Sequence, residues 1–172
     1  MSEPLIHSFA PIVGDRPRLL ILGNVPGVQS LRAQRYYETP RNAFWRIIGE
    51  LLGFEPDAPY DVRLDAVRAR SVAVWDVLRC CRRKGSLDSA VERDSMQPND
   101  FGAFFAEHQT ITRVVFNGAA AEANFIRLVG ADPGIESDVE FVRAPSTSPA
   151  QTMRYDDKLR AWRSALTPVC LS

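Results

Sequence analysis

LLILGNVPGVQSLRAQRYYETPRNAFW, residues 19–45, decides how the rest of the chain is read. An unbroken apolar run, residues 19–22, ends in Gly23, Asn24, Val25, Pro26 and Gly27. Polar residues follow, then Tyr36 and Tyr37, then Pro40, Arg41 and Asn42, then Phe44 and Trp45. A short continuous apolar run closed by glycine is the pattern of a strand buried on both faces. The loop behind it is too crowded to be a plain connection. It is suited to hold a phosphate, or a flat base swung out of a duplex.

Outward from this stretch, three more segments rich in Val, Ile, Leu and Phe read as strands. Together the four span residues 18–23, 71–75, 113–117 and 139–143, the last alternating less cleanly than the others. Helical periodicity fills the gaps. Residues 42–52 carry Phe44, Ile47, Ile48, Leu51 and Leu52 on one face and stop at Gly53. Residues 61–70, 99–108, 118–129 and 155–166 read as further helices, with Asn99 as the expected N-cap of its helix. Strand and helix alternate, so the expected fold is a three-layer α/β/α single domain, residues 1–172, around a central four-stranded mostly parallel sheet. Residues 1–16 are expected to form a loosely ordered tail. Such sheets hold their sites beyond the carboxyl ends of the strands, where strand order reverses. The loops there are residues 23–41, 76–89, 117–119 and 144–151, which are also the least ordinary parts of the sequence.

Composition narrows the function. The chain has 172 residues, enough for one sizeable core, and a formal net charge of zero. There is no global pull towards nucleic acid, but two local basic clusters occur: Arg32 with Arg35, and Arg79, Arg82, Arg83 and Lys84. Three cysteines, Cys80, Cys81 and Cys170, make no disulfide framework, and His7 and His108 lie far from them in sequence, so no metal site is expected. No apolar run reaches membrane-spanning length, and the first residues lack a basic-then-apolar signal pattern. The expectation is a cytoplasmic protein with no membrane contact, acting as a monomer.

The loops discriminate between chemistries. The GNVPG turn has neither phosphate-loop nor dinucleotide spacing, Pro26 lacks an N–H, and the next expected helix starts well downstream. Nucleotide-cofactor binding is therefore not expected. His108 is expected at the end of its helix on the far side of the sheet, and His7 in the tail, so no histidine base is poised. A flipped base fits better. Tyr36, Tyr37, Phe44 and Trp45 offer a flat floor, although Phe44 and Trp45 also begin the core stripe of their helix. Asn24, Asn42, Asp76 and Asn117 offer groups that read a base edge. APSTSPAQT, residues 144–152, offers a stiff loop of hydroxyls and backbone donors. Extrusion costs a few kcal/mol, which stacking and hydrogen bonds in the pocket must offset.

At these residues the sequence resembles the uracil-DNA glycosylase superfamily, most closely its hypoxanthine (deoxyinosine) DNA glycosylase branch. The resemblance rests on LILGNVPGVQSL, YYETPRNAFWRII, VAVWDVL, RKGSLDSAV, VVFNGAAA and APSTSPA in the family's order. It implies metal-free, cofactor-free hydrolysis of the N-glycosidic bond of a deaminated base, most closely hypoxanthine, in double-stranded DNA, with no lyase step. By resemblance, Asn42 is the expected catalytic residue, orienting water or holding the base; its competing role is to cap the helix that follows. Tyr37 is the expected stacking aromatic, with Asn24, Val25, Pro26, Asp76 and Asn117 around the base. Ser146, Thr147, Ser148 and Pro149, with Arg35, Arg83 and Lys84, are expected to contact DNA. Two positions depart from related branches: Val25 stands where a water-positioning Asp or Asn is found, and Ala144 where a His or Asn begins the second motif. The Gly85-Ser86-Leu87-Asp88 turn is read as a helix cap rather than a phosphate contact. Alternatives are a mismatch-type uracil glycosylase, a lesion-binding protein without catalysis, and a small-molecule α/β enzyme.

Overall fold

The computed structural model describes residues 3–171, with side chains described through residue 169, so Cys170 lies outside the described side chains. In chain order the elements begin β1 (Leu5–His7), β2 (Leu19–Gly23), α1 (Val28–Ala33), α2 (Phe44–Leu52), α3 (Tyr60–Ala69), β3 (Val72–Asp76) and β4 (Leu78–Arg82). There follow β5 (Gln97–Pro98), α4 (Phe101–Glu107), β6 (Arg113–Asn117), α5 (Ala119–Leu128), β7 (Glu140–Ala144) and α6 (Tyr155–Leu166).

The central sheet has the order β3-β2-β6-β7, and all its pairings are parallel. Every residue of β2 and β3 is buried, as the continuous apolar runs require. Successive residues of a strand face opposite sides, which divides the core in two. Leu19, Ile21, Val72, Val74 and Val115 pack with Phe44, Ile47, Ile48, Leu51, Trp162 and Leu166. On the other face Leu20, Leu22, Ala73, Trp75, Val114 and Phe116 pack with Phe101, Phe104, Phe105 and Phe125. The result is the α/β fold expected from sequence, with the carboxyl ends of the strands on one edge: Gly23 pairs with Asp76, and Asn117 with Ala144.

Four expectations are corrected. Residues 5–12 are not a loose tail: β1 pairs antiparallel with β4, placing His7 opposite Cys80, and Ile12 bridges Val74. The stretch after Asp76 is not only a loop, since β4 joins β1 and β5 in a second, three-stranded sheet. A helix does begin directly after Gly27, namely α1. The cap of α4 is Asp100, whose carboxylate accepts from the Ala103 N–H, while Asn99 instead donates to the Asp76 carbonyl at 2.8 Å. Among the described residues no helix is long and apolar enough to cross a membrane.

Candidate active site

The chain steps from β2 to β3 on one side and returns to β6 on the other, so strand order reverses at β2. A cleft of about 710 Å³ opens there, at the carboxyl ends of β2, β3 and β6. Its walls are residues 23–27, the segment bearing Tyr37, Thr39, Arg41 and Asn42, residues 86–89, and residues 146–151. The base-reading residues expected from sequence, and the Ser146–Pro149 segment, all border it.

Most of the polar wall is occupied with itself. Asn24 is buried: its amide donates to Asp88 at 2.9 Å and its carbonyl accepts from Asn124 at 2.8 Å. Asn117 and Thr147 bind each other twice, the Asn117 amide donating to Thr147 Oγ1 at 3.0 Å and the Thr147 N–H to Asn117 Oδ1 at 2.9 Å. Thr147 is thus buried, not a surface contact, and its carbonyl accepts from the Ala43 N–H at 2.9 Å. Ser146 and Ser148 receive N–H groups two residues ahead, from Ser148 and Ala150, the local hydroxyl turns favoured by serine. Beneath them the buried Lys158 ammonium donates to the Ser148 and Gln151 carbonyls, and Trp162 Nε1 to Pro145. Gly118 completes the fit: at φ +96°, a Cβ there would stand 2.8 Å from Ser146 Cβ.

The floor is different. A Cβ on Gly23 would lie 2.6 Å from both Asp76 Oδ1 and Tyr37 Oη, so only glycine lets these two side chains meet over the strand end. Asp76 Oδ2 has no hydrogen-bond partner among the described residues, and Tyr37 Oη has only the Asn117 amide near it, outside good hydrogen-bond geometry. Burial, then the neighbouring Asp88 charge, push the Asp76 carboxyl up to about 7, against an opposing pull from Arg83. Burial likewise raises the Tyr37 hydroxyl. Tyr37 stacks on Phe44 with ring centroids 3.9 Å apart and planes 20° apart, so one of its faces is already covered. Its φ of +57° is a strained backbone for an aromatic residue, costing about 1–2 kcal/mol. Neighbouring bonds hold it there: the Tyr36 N–H donates to Tyr60, Trp45 Nε1 to the Tyr36 carbonyl, and the Glu38 N–H to Ser30. Tyr36 itself is buried, its hydroxyl donating to the Ala10 carbonyl at 2.8 Å.

Asn42 stands between these regimes. Its side-chain carbonyl accepts from the Phe44 N–H at 3.0 Å, supporting the first turn of α2. Its amide nitrogen has no partner among the described residues, and Asn42 borders the cleft. One end of the amide supports the helix, and the other is open to the cleft.

The expected basic contacts fare unevenly. Arg83 is buried and acts as an internal strut, Nε donating to the Gly85 carbonyl at 2.6 Å and Nη2 to the Pro26 carbonyl at 2.7 Å. It is not on the surface for a phosphate. Arg35 is exposed but lies over the Tyr60 ring at 5.2 Å, outside the cleft, and the exposed Lys84 does not border it. Val25 is half-buried against the core. The Pro26 side chain is followed by Gly27, whose successor Val28 donates its N–H to Ser86 Oγ at 2.9 Å. Ser86 therefore does cap a helix, but α1, 58 residues away in sequence. Sequence reading missed Thr39, Arg41 and Asn124, of which only the exposed Arg41, beside Asn42, carried any signal.

The sequence profile of the Uracil DNA glycosylase superfamily matches residues 11–167. The chain belongs to that superfamily. It is accordingly a DNA glycosylase, a hydrolase of N-glycosyl bonds whose substrate is DNA. A hypoxanthine DNA glycosylase of Methanosarcina barkeri is 32% identical over 113 residues, covering 65% of this chain and 70% of that one. Its counterpart in Methanosarcina acetivorans is 32% identical over 116 residues, 67% of this chain and 72% of the other. A solution NMR structure from Methanosarcina acetivorans, described as a candidate uracil DNA glycosylase, superposes with a TM-score of 0.79 at 27% identity, covering 96% of this chain and 99% of that one.

Proposed function

We propose that this glycosylase removes hypoxanthine from deoxyinosine in DNA, with Asn42 as its catalytic residue and Asp76 and Tyr37 receiving the base. The observation that carries the reading is the distribution of unpaired polar groups. Asn24 and Asn117 are spent on the protein, whereas the Asn42 amide opens to the cleft, and Asp76 Oδ2 and Tyr37 Oη lie buried beneath it without a partner that satisfies hydrogen-bond geometry. Buried polar groups normally have partners, so such a cluster at a strand-end cleft is where a base belongs. The relatives named as hypoxanthine DNA glycosylases support the choice of base.

Hypoxanthine presents a carbonyl oxygen beside a ring N–H. A protonated carboxyl offers that edge both a donor and an acceptor, and burial favours the protonated form of Asp76. In the reaction the C1′–N9 bond breaks, its electron pair departs with the base, and water attacks the sugar carbon and releases a proton. With Val25 and Ala144 unable to supply an acid or a base, stabilising the departing base is the main task left to side chains. The Asn42 amide donor serves it, as a fixed donor aimed at developing charge does in other hydrolases. The covered face of Tyr37 leaves its other face for stacking.

The test is single-turnover cleavage of labelled duplexes carrying one deoxyinosine or one deoxyuridine, followed by alkali to reveal abasic sites. The expected result is cleavage of the deoxyinosine duplex, faster than that of the deoxyuridine duplex. Cleavage of deoxyuridine alone would shift the assignment to a uracil enzyme, and tight binding without cleavage of either to a lesion-binding protein.

A further inference from the structure

Lys84 and Lys158 are the two lysines of a sequence that otherwise draws its cations from arginine. Lys84 is exposed. Lys158 is buried, at 4% exposed, in the first turn of α6. Burial disfavours its charged form, and a cation in the first turn opposes the helix dipole. Its acidic neighbours Asp156 and Asp157 are exposed, and Asp157 pairs with Arg160. No ion pair among the described residues includes Lys158. The fold keeps a buried charge without a counter-charge, which is normally unfavourable.

What the ammonium touches is the loop on the cleft. It donates to the Ser148 carbonyl at 3.1 Å and the Gln151 carbonyl at 2.8 Å, and one turn on Trp162 Nε1 donates to the Pro145 carbonyl at 2.9 Å. Three acceptors of the loop thus point inward. The donors point the other way. The Ser146 and Ser148 hydroxyls accept the N–H groups of Ser148 and Ala150, which leaves their own protons to donate into the cleft they border. With the Gln151 carbonyl inward, the trans peptide turns the N–H of the exposed Thr152 outward. Acceptors inside, donors outside and a cation one backbone layer behind make a surface for an anion. Otherwise the charged side chains bordering the cleft are Arg41 against Asp76 and Asp88, so the loop is where a phosphate is best received.

We propose that Lys158 is a positioning residue for DNA binding: from behind residues 146–151 its ammonium holds the loop carbonyls inward and supplies the counter-charge for a backbone phosphate of the strand entering the cleft. The proposal rests on this cleft being where DNA is engaged. Lys158 touches neither the base nor the reacting sugar.

The experiment measures the affinity for a deoxyinosine duplex by fluorescence anisotropy, across salt concentrations, for wild type, Lys158→Gln and Lys158→Met. Glutamine keeps a donor for the loop carbonyls without the charge, and methionine keeps the stem alone. Thermal denaturation checks that each variant is folded. Both should bind about tenfold more weakly at low salt, with the loss fading as salt screens the charge. If Lys158 were only a staple, Lys158→Gln would bind as wild type does at every salt concentration, and that result would overturn the proposal. The same coupling is read without substitution at position 158 from the carbon-13 NMR signal of Lys158 Cε, told apart from that of Lys84 with Lys84→Arg. A charge that favours DNA must itself be favoured by DNA. The Lys158 pKa should therefore rise by about one pH unit on duplex binding, the counterpart of a tenfold affinity. An unchanged pKa would overturn the proposal. Wild type that binds the duplex without cleaving it would sink the hypoxanthine reading and leave the Lys158 result intact, because neither readout needs cleavage. Wild type that binds no duplex would sink both.

Discussion

Two groups of side chains face each other across the cleft, similar in chemistry and opposite in condition. On the wall, Asn24, Asn117 and Thr147 are buried or half-buried amides and a hydroxyl with their hydrogen bonds made within the protein. On the floor, Tyr37 Oη and Asp76 Oδ2 are buried without a well-placed protein partner, and on the rim the Asn42 amide opens to the cleft. A satisfied polar group stabilises shape, and an unsatisfied one costs stability until a ligand arrives. The comparison teaches that wall variants should cost folding, while floor variants should cost activity and leave folding unharmed or improved.

The largest folding effect is expected on the wall. Asn117→Ala removes both bonds to Thr147 and strands a buried hydroxyl and N–H, which should cost about 2–3 kcal/mol. At this chain length that lowers Tm by roughly 4–12 °C, read by thermal denaturation. A drop as small as that of a surface variant would erase the distinction between wall and floor.

Asp76 should behave in the opposite sense, and its pH dependence fixes the sign. Its carboxyl is raised from 3.8 to about 7 by burial first and Asp88 second. Between those values the unfolded chain has released a proton that the folded chain keeps, so stability falls as pH rises from about 4 to about 7, then levels. Asp76→Asn removes this penalty. The variant should be more stable than wild type at pH 8, by up to about 4 kcal/mol, with the gain vanishing near pH 4. Urea titrations at the two pH values measure it. A variant less stable than wild type at pH 8 would mean that the carboxylate is paired.

The smallest effect belongs to Tyr37→Phe. Deleting a buried hydroxyl with no partner should leave stability unchanged or raise it by up to about 1 kcal/mol, because the stack on Phe44 stays. A clear loss in the same denaturation assay would show that the hydroxyl has a partner in the folded protein.

The parallel core was legible because its strands are buried on both faces, so residues 19–22 and 72–75 are apolar without interruption. Helix α2 announced itself by an apolar stripe and a closing glycine. Elements without a stripe were silent. Helix α1 has six residues, and the one it buries is Ser30. Strand β4, LRCCR, reads as part of a basic cluster rather than as alternation, and β1 has three residues. The gathering of residues at the cleft followed from topology, since every strand-end loop meets there. Which of them remain free did not. Arg83 looks like a surface cation until the Pro26 carbonyl, 57 residues away in sequence, is found against it. Asn24 and Asn42 differ only in partners that folding supplies, Asp88 and Asn124 for the first and the Phe44 N–H alone for the second.

Asn42→Asp separates the two ends of that side chain. The carboxylate can still accept from the Phe44 N–H, and a negative charge suits the first turn of a helix. What disappears is the amide donor. The decisive measurement pairs the Tm of this variant with its single-turnover rate on a deoxyinosine duplex at saturating enzyme. The expected result is an unchanged or higher Tm and a rate reduced by about 10²–10³, the usual cost of removing one donor from a developing charge. A variant that folds as well and cleaves as fast would contradict it, and would make the side-chain oxygen, placing water, the part of Asn42 that matters.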